Sequence, residues 1–426
     1  MLWMHKRITF SQVPKLFVAF AAVAISSQIA ASALSLEAVE ALALASDPGV
    51  QSLESNRLAL EEMSVAAEQL PDPLLKMGLV SLPTDTFNLG QEPMTQVQLG
   101  MVQKFPRGKS RSLRSEQIGI KSQGLNEMAR DQRLRILLSV REQFLEVAKQ
   151  KHLASINAEA ITAFSDVADI TQDYYATGRV QQQDVLQAAV ELARVEDRAT
   201  RIAQDEEQAR ARLAMWIGDS AWRDLDDAWP QFDYLSSPEV IKDSLQEHPR
   251  VQALQKDVFA AETGVELARQ KYKPEFALDL TYGGRAGTNP DGSSRTDLLT
   301  LMVVMDVPLF HKNRQDRIVA AQIAESSAAM FSRDDILRRM GSEVDFHVAT
   351  HQRQQERIEL FENRLLPEAA FSSEASFGAY QSSIEDLTTL LRTRITEFDL
   401  QLEHARLQAE ALKTQARLLY LEGERM

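Results

Sequence analysis

An internal duplication constrains this chain more than any other feature. The run Asp47-Pro48-Gly49-Val50-Gln51-Ser52-Leu53 is echoed by His248-Pro249-Arg250-Val251-Gln252-Ala253-Leu254, 201 residues later. Pro71 and Pro73 meet Tyr272 and Pro274 at the same offset, and Pro106 meets Pro308 at 202. Landmarks that recur at one offset divide a chain into copies of a common unit, here of about 200 residues. Residues 34–217 form the first copy and 238–426 the second, and the acidic, Trp-containing stretch 218–237 joins them.

Both copies run through the same order of periodicities. A helical segment, Leu36 to Gln69 or Pro238 to Lys271, ends at the prolines, which lack a backbone donor and disfavour helix in the residue before them. Two strand-like runs follow, over about 74–82 and 94–105 in the first copy and 275–284 and 296–308 in the second. Val97, Leu99, Met101 and Phe105 alternate with Gln96, Gln98, Gly100 and Lys104, and Phe276, Leu278, Leu280 and Tyr282 alternate with Ala277, Asp279, Thr281 and Gly283. Leu299 to Val307 alternates less cleanly, and Leu74 to Leu82 is the weakest of the four. The lengths suit a tilted membrane strand of about 9–11 residues; a soluble half-buried sheet gives the same pattern. Turn-rich connections, Pro83 to Pro93 and Gly283 to Ser294 with Asn289-Pro290-Asp291-Gly292, make each pair a hairpin.

Membrane barrels start at about eight strands, because an open edge in lipid leaves backbone groups unsatisfied. Two hairpins cannot close one, so a membrane reading forces subunits to share a sheet. The rest of each copy is helical. Arg107 to Thr177 is broken only by Gly108, Gly119 and Gly124, with Leu137, Val140, Phe144, Val147 and Ala148 at coiled-coil spacing. About 70 residues at roughly 1.5 Å each make a rod near 100 Å. The chain returns from Gln181 to about Ile217, and this helix stacked on Leu36 to Gln69 matches the long rod. The second copy repeats the pattern with Lys312 to about Ala379, Ser382 to about Leu421, and Pro238 to Lys271.

The N-terminus reads as a secretory leader over residues 1–33: Lys6, Arg7 and Lys15, an apolar run Leu16 to Ile25, then Ala31-Ser32-Ala33, with cleavage expected after Ala33. Its apolar core is about ten residues, short of the roughly 20 that span a bilayer. Removing it takes three bases and no acid, so the net charge goes from −14 to −17, which argues against nucleic acid as a partner. There is no cysteine, hence no disulfide and no thiol for a lipid anchor.

The duplicated Pro-containing helix ends carry a resemblance, together with the junctions Phe105-Pro106-Arg107-Gly108-Lys109 and Val307-Pro308-Leu309-Phe310 and the segment Tyr175-Ala176-Thr177-Gly178-Arg179-Val180-Gln181-Gln182-Gln183-Asp184-Val185-Leu186. The chain resembles the TolC-like outer-membrane efflux family over essentially its whole mature length. The resemblance implies a mixed, mostly α fold: a homotrimer whose twelve strands form one outer-membrane β-barrel and whose helical coiled-coil hairpins form a periplasmic tunnel. It further implies an inner-membrane pump and a periplasmic adaptor as partners, outer-membrane lipid around the barrel, and passive conduction with no catalysis and no cofactor. Tip contacts with the adaptor then fall on Tyr175, Gly178, Arg179 and Val180, and, 202 residues on, Phe377 for Tyr175 and Tyr380 for Gly178. Acidic constriction residues fall on Asp386 and Asp184. Leu70-Pro71-Asp72-Pro73, Gly78, Ser81-Leu82-Pro83 and Gln91-Glu92-Pro93-Met94-Thr95 look like the heavy-metal branch, which partners resistance-nodulation-division pumps. Organic solutes, drugs or secreted proteins are the other cargoes such a duct carries. A periplasmic coiled-coil scaffold without membrane strands is the reading from a different class.

Other chemistry is thin. Gly108-Lys109-Ser110 lacks the earlier glycine that a phosphate loop needs, since position 103 is glutamine. His347 and His351 share a helical face but have no third ligand nearby, and Met77, Met94, Met101, Met302 and Met305 suit strand packing as well as soft-metal contact. No resident metal site is expected.

Overall fold

The computed structural model describes residues 33–45, 47–232 and 235–423. The expected leader lies outside them apart from Ala33. In chain order the elements are α1 (Leu36–Ala45), α2 (Pro48–Glu68), β1 (Leu74–Val80), β2 (Gln96–Phe105), α3 (Ser110–Ala176), α4 (Gln182–Ile217), α5 (Pro238–Ser244), α6 (Pro249–Arg269), β3 (Phe276–Gly284), β4 (Leu298–Met305), α7 (Gln315–Leu360), α8 (Leu366–Gln381) and α9 (Leu387–Glu422). No helix among the described residues is long and apolar enough to cross a membrane.

The opening helical segment of each copy is two helices and not one. Pro48 occupies the first turn of α2, and the Asp47 carboxylate accepts the Val50 amide at 2.8 Å. Pro249 does the same for α6, with the His248 ring nitrogen Nδ1 accepting the Arg250 amide at 3.2 Å. A proline restricts the residue before it to extended backbone, so a new helix must start there.

The four strands form one antiparallel sheet in the order β1-β2-β3-β4, joined across the copies by β2 and β3. Above the tip, the rods pack in the matching order: α2 against α3, α3 against α6, α6 against α7. Since α2 leads into β1, β2 into α3, α6 into β3 and β4 into α7, sheet and rods form one continuous open wall. Towards the other end α3 packs on α4 and α9, and α8 on α9. The core is strung along this wall. Ile136, Val140, Phe144 and Val147 of α3 meet Val39, Leu213 and the linker's Leu225, and a separate cluster near the tip gathers Phe164, Val195, Leu390 and Phe398.

The copies are not in one register throughout. α2 and α6 start 201 residues apart, β2 and β4 202, but α3 and α7 start 205 apart, because the stretch from Pro308 to α7 is three residues longer than that from Pro106 to α3. The offset of 205 then holds to the end: α3 has 67 residues, the rod from α7 to α8 spans 315–381, and α4 and α9 have 36 each. The rod in the second copy contains a π turn, Phe361–Leu365, just before Pro367. A proline ring clashes with the carbonyl four residues back, and a widened turn makes room for it.

One ionic seam joins the copies at mid-length. Glu146 of α3 sits 2.6 Å from Lys413 of α9 and 2.6 Å from Lys149. Burial pushes the Glu146 carboxyl up, yet hydrogen bonds from Lys149 and Lys413 outweigh it and hold the pKa at about 2. Arg417 meets Glu142 at 2.7 Å, and the Tyr420 hydroxyl donates to Asp131 at 2.9 Å. A carboxyl depressed in the fold contributes stability above its unfolded pKa, about 4.3, and loses it as pH falls towards 2. Replacing Lys413 with Met is therefore expected to lower the temperature of helix loss at pH 7, followed by circular dichroism of detergent-solubilised protein. The gap from wild type should narrow to roughly half by pH 3 and go on closing towards pH 2; a gap independent of pH between 7 and 3 would show that the seam carries no such weight.

Candidate functional site

The sheet has one predominantly apolar face and one mixed face that carries its charged and hydroxyl side chains. In register, Leu75, Met101, Leu280 and Leu301 form one cross-strand row, and Met77, Leu99, Tyr282 and Leu299 the next. All are exposed, Met77 at 73% and Leu301 at 67%. The other face carries the row Lys76, Gly100, Thr281 and Thr300, and the Lys76 ammonium reaches the Asp279 carboxylate at 2.8 Å. A Cβ on Gly100 would lie 2.4 Å from Thr281 Oγ1, so this crowded polar face admits only glycine there. An apolar outer face alternating with a polar inner one is what a strand between lipid and water requires. β4 stops short of the expected residue 308, because the Asp306 carboxylate turns to accept the Glu275 amide at 2.6 Å and also pairs with Arg107.

At the opposite end the two hairpin turns are superimposable in kind. After α3, Gly178 (φ 74) donates to Tyr175 O at 2.9 Å and Arg179 donates to Tyr174 O at 2.8 Å. After α8, Ser383 (φ 57) donates to Tyr380 O at 2.9 Å and Ile384 to Ala379 O at 2.8 Å. Both are Schellman caps. The counterpart of Gly178 is therefore Ser383 and that of Tyr175 is Tyr380; the pairing of Phe377 with Tyr175 and of Tyr380 with Gly178, expected at 202, is corrected by three residues. The departure from glycine is at Ser383, where a left-handed non-glycine residue costs about 1 kcal/mol.

The two acids likewise occupy different positions. Asp386 is the N-cap of α9, accepting the Thr389 amide at 2.7 Å, and that backbone hydrogen bond holds its carboxyl below the usual range. Asp184 lies three residues inside α4, where its carboxylate accepts the Gln181 amide at 3.0 Å in a capping box. Asp386 matches Gln181, and both acids are helix-end groups as well as tip charges.

Tyr175 is 43% exposed, Val180 is half-buried, and Arg179 lies over the Tyr174 ring at 5.3 Å. Phe377 is half-buried under the Arg394 guanidinium at 5.1 Å. Tyr380, expected as an outward contact, is only 3% exposed: its hydroxyl shares a buried 3.0 Å hydrogen bond with Thr171 Oγ1, while the Tyr174 hydroxyl donates to Gln381 O at 3.0 Å. These bonds tie the two hairpins of the protomer together. Sequence reasoning missed them because they cross more than 200 residues, although the pattern aromatic-x-x-small, read as Tyr380 to Ser383, would have placed the turn.

His347 and His351 both have a buried Nδ1 without a partner, burial lowers the pKa of each ring, and no group of three or more metal-ligating side chains exists among the described residues.

Residues 240–424 match the family model for outer membrane efflux proteins. No curated protein matches in sequence. Among solved structures, the outer membrane protein VceC of Vibrio cholerae superimposes with a TM-score of 0.77 at 17% identity, covering 91% of this chain and 96% of that one. CusC gives 0.76 at 13%, over 91% and 92%. The CmeC outer membrane channel of Campylobacter jejuni gives 0.76 at 11%, over 91% and 85%. The fold is that of the outer membrane efflux proteins. The family match falls on the second copy, α5 to α9, and the structural likeness extends it over the first.

Losing the Tyr380 hydroxyl should loosen the efflux fold at its tip. Tyr380→Phe is expected to speed hydrogen exchange of the amides in both hairpin turns, Thr171→Val to do the same, and the double variant to add nothing further. Exchange equal to wild type in both single variants would show that this bond does not hold the turns.

Proposed function

We propose that this chain is one protomer of a homotrimeric outer-membrane efflux channel that extends into the periplasm. It passes solutes passively outward from an inner-membrane resistance-nodulation-division pump through a periplasmic adaptor. One observation carries the reading: a four-stranded sheet with an apolar outer face ends in two unpaired edges, and the rods below end in the same two edges. Three copies joined β4 to β1 make twelve strands, enough to enclose a bore. The adaptor meets the exposed turn at Tyr175, Gly178, Arg179 and Val180 and the second turn near Phe377, with Tyr380 supporting it from inside. Three Asp386 carboxylates, with Asp184 behind them, ring the constriction.

For cargo we propose heavy-metal cations. The mature chain's charge of −17 concentrates cations in a narrow bore. With no resident ligand cluster among the described residues, such ions pass without being held.

Outer-membrane fractions should contain a trimer that dissociates to a 47.8 kDa or slightly smaller chain only on heating. Deleting the gene should sensitise cells to divalent metals. Recovery of a soluble monomer without detergent would overturn the channel, and unchanged metal tolerance with lost drug tolerance would overturn the cargo. Asparagine caps a helix as well as aspartate does. Asp386→Asn should therefore leave the tip folded and lower the cation-over-anion permeability ratio of the reconstituted pore; an unaltered ratio would take Asp386 out of the constriction.

A further inference from the structure

Leu34 and the inter-repeat Leu225 form an isolated parallel bridge. The Leu34 amide donates to Asp224 O at 2.9 Å, and Leu34 O accepts the Asp226 amide at 3.0 Å. Both leucine side chains are buried in the cluster built by α1, α3 and α4, while Ala33, one residue earlier, is exposed. The peptide bond between Ala33 and Leu34 thus separates a solvent-facing residue from one fixed through its side chain and both backbone groups.

The elements packed about this bridge also carry charged side chains. The linker supplies Asp224 and Asp226, and α1 supplies Glu37, on which the Asp226 carboxylate acts electrostatically. From α3, the Lys151 ammonium holds Asp224 Oδ1 at 2.9 Å and Leu225 O at 2.6 Å. From α4, Arg210 is spent on Glu206 and on the carbonyls of Ala221 and Arg223. Lys151 and Arg210 have their acceptors, and among the described residues no ion pair is seen for Asp226 or Glu37.

We infer that the Leu34 nitrogen is a charged chain terminus in the mature protein, and that it clasps the acidic inter-repeat linker to α1. Hydrolysis of the Ala33–Leu34 amide by a leader endopeptidase takes up one water, leaving the carboxylate on Ala33 and the amine, which takes a proton, on Leu34. That nitrogen keeps its acceptor, Asp224 O, as a charged donor, beside a linker and an α1 first turn that carry Asp226 and Glu37. Charge-assisted bonds of this kind are roughly twice as strong as neutral ones. Cleavage one residue later would remove the bridge with Leu34; earlier cleavage would put the ammonium on exposed chain. The inference rests on the export reading above.

The test is the full-length chain expressed in a Gram-negative host and purified from outer membranes. Its intact mass should correspond to loss of residues 1–33. An acetylating pulse at pH 7, read by mass spectrometry, should then modify the Leu34 amine at least about threefold more slowly in the native trimer than after denaturation, since half a unit of raised amine pKa removes that much free base. Asp226→Asn, which retains the acceptor for the Ala228 amide, should bring the native rate close to the denatured one. An outer-membrane protein starting at another residue, or equal native and denatured rates, overturns the clasp alone. An uncleaved chain absent from the outer membrane overturns the export reading with it.

Discussion

A strand at the edge of a sheet leaves a row of backbone donors and acceptors unpaired, and this sheet has two such edges, β1 and β4, flanked by exposed leucine, methionine and valine. In water such an edge is a liability; in lipid each unsatisfied group costs several kcal/mol. The rest of the molecule follows from that constraint. Because strand order and rod order coincide, the surface that must be closed in the membrane continues as the free flanks of α2 and α7 below it. One closure rule therefore serves both halves of the tube.

Duplication explains how one chain supplies such a wall, but only its geometry is repeated. At the offset of 205, Glu146 falls on His351 and Lys413 on Gln208, so the ionic seam that ties α3 to α9 has no second version. At the helix starts, Asp47 in the first copy becomes His248 in the second, buried and bonded through Nε2 to Tyr420 O at 2.9 Å. The capping job is conserved by a side chain of different chemistry. Lengths of rods and strands are repeated between the copies, while the ion pairs that join them, such as Lys76 to Asp279 and Arg107 to Asp306, are each made once.

The sequence was most legible where period and length speak together. The four strands, the two long rods and their returns are visible from alternation, coiled-coil spacing and prolines, because burial on one face imposes them locally. The second hairpin turn was registered wrongly, since one offset was carried through the stretch after Pro308, which holds three more residues than its counterpart after Pro106. The π turn before Pro367, the inward turn of Tyr380 and the pairing of Glu146 with Lys413 were not legible. Each depends on which helices meet, and a heptad pattern leaves that open.

The departures from ideal geometry are unevenly shared between the hairpins. The first is an unbroken 67-residue helix turned by a glycine that adopts φ 74 without cost. The second spends a π turn, stacked under His404 at 5.9 Å, and a left-handed serine. Both departures lie in the α7 to α8 rod and its turn, while α3 runs unbroken into its own. The Thr171 to Tyr380 bond joins the irregular hairpin to the regular one. A single buried hydrogen bond is worth only about 1 kcal/mol. It is made between residues 209 apart, so it fixes one copy's hairpin to the other's where neither copy could make the contact alone.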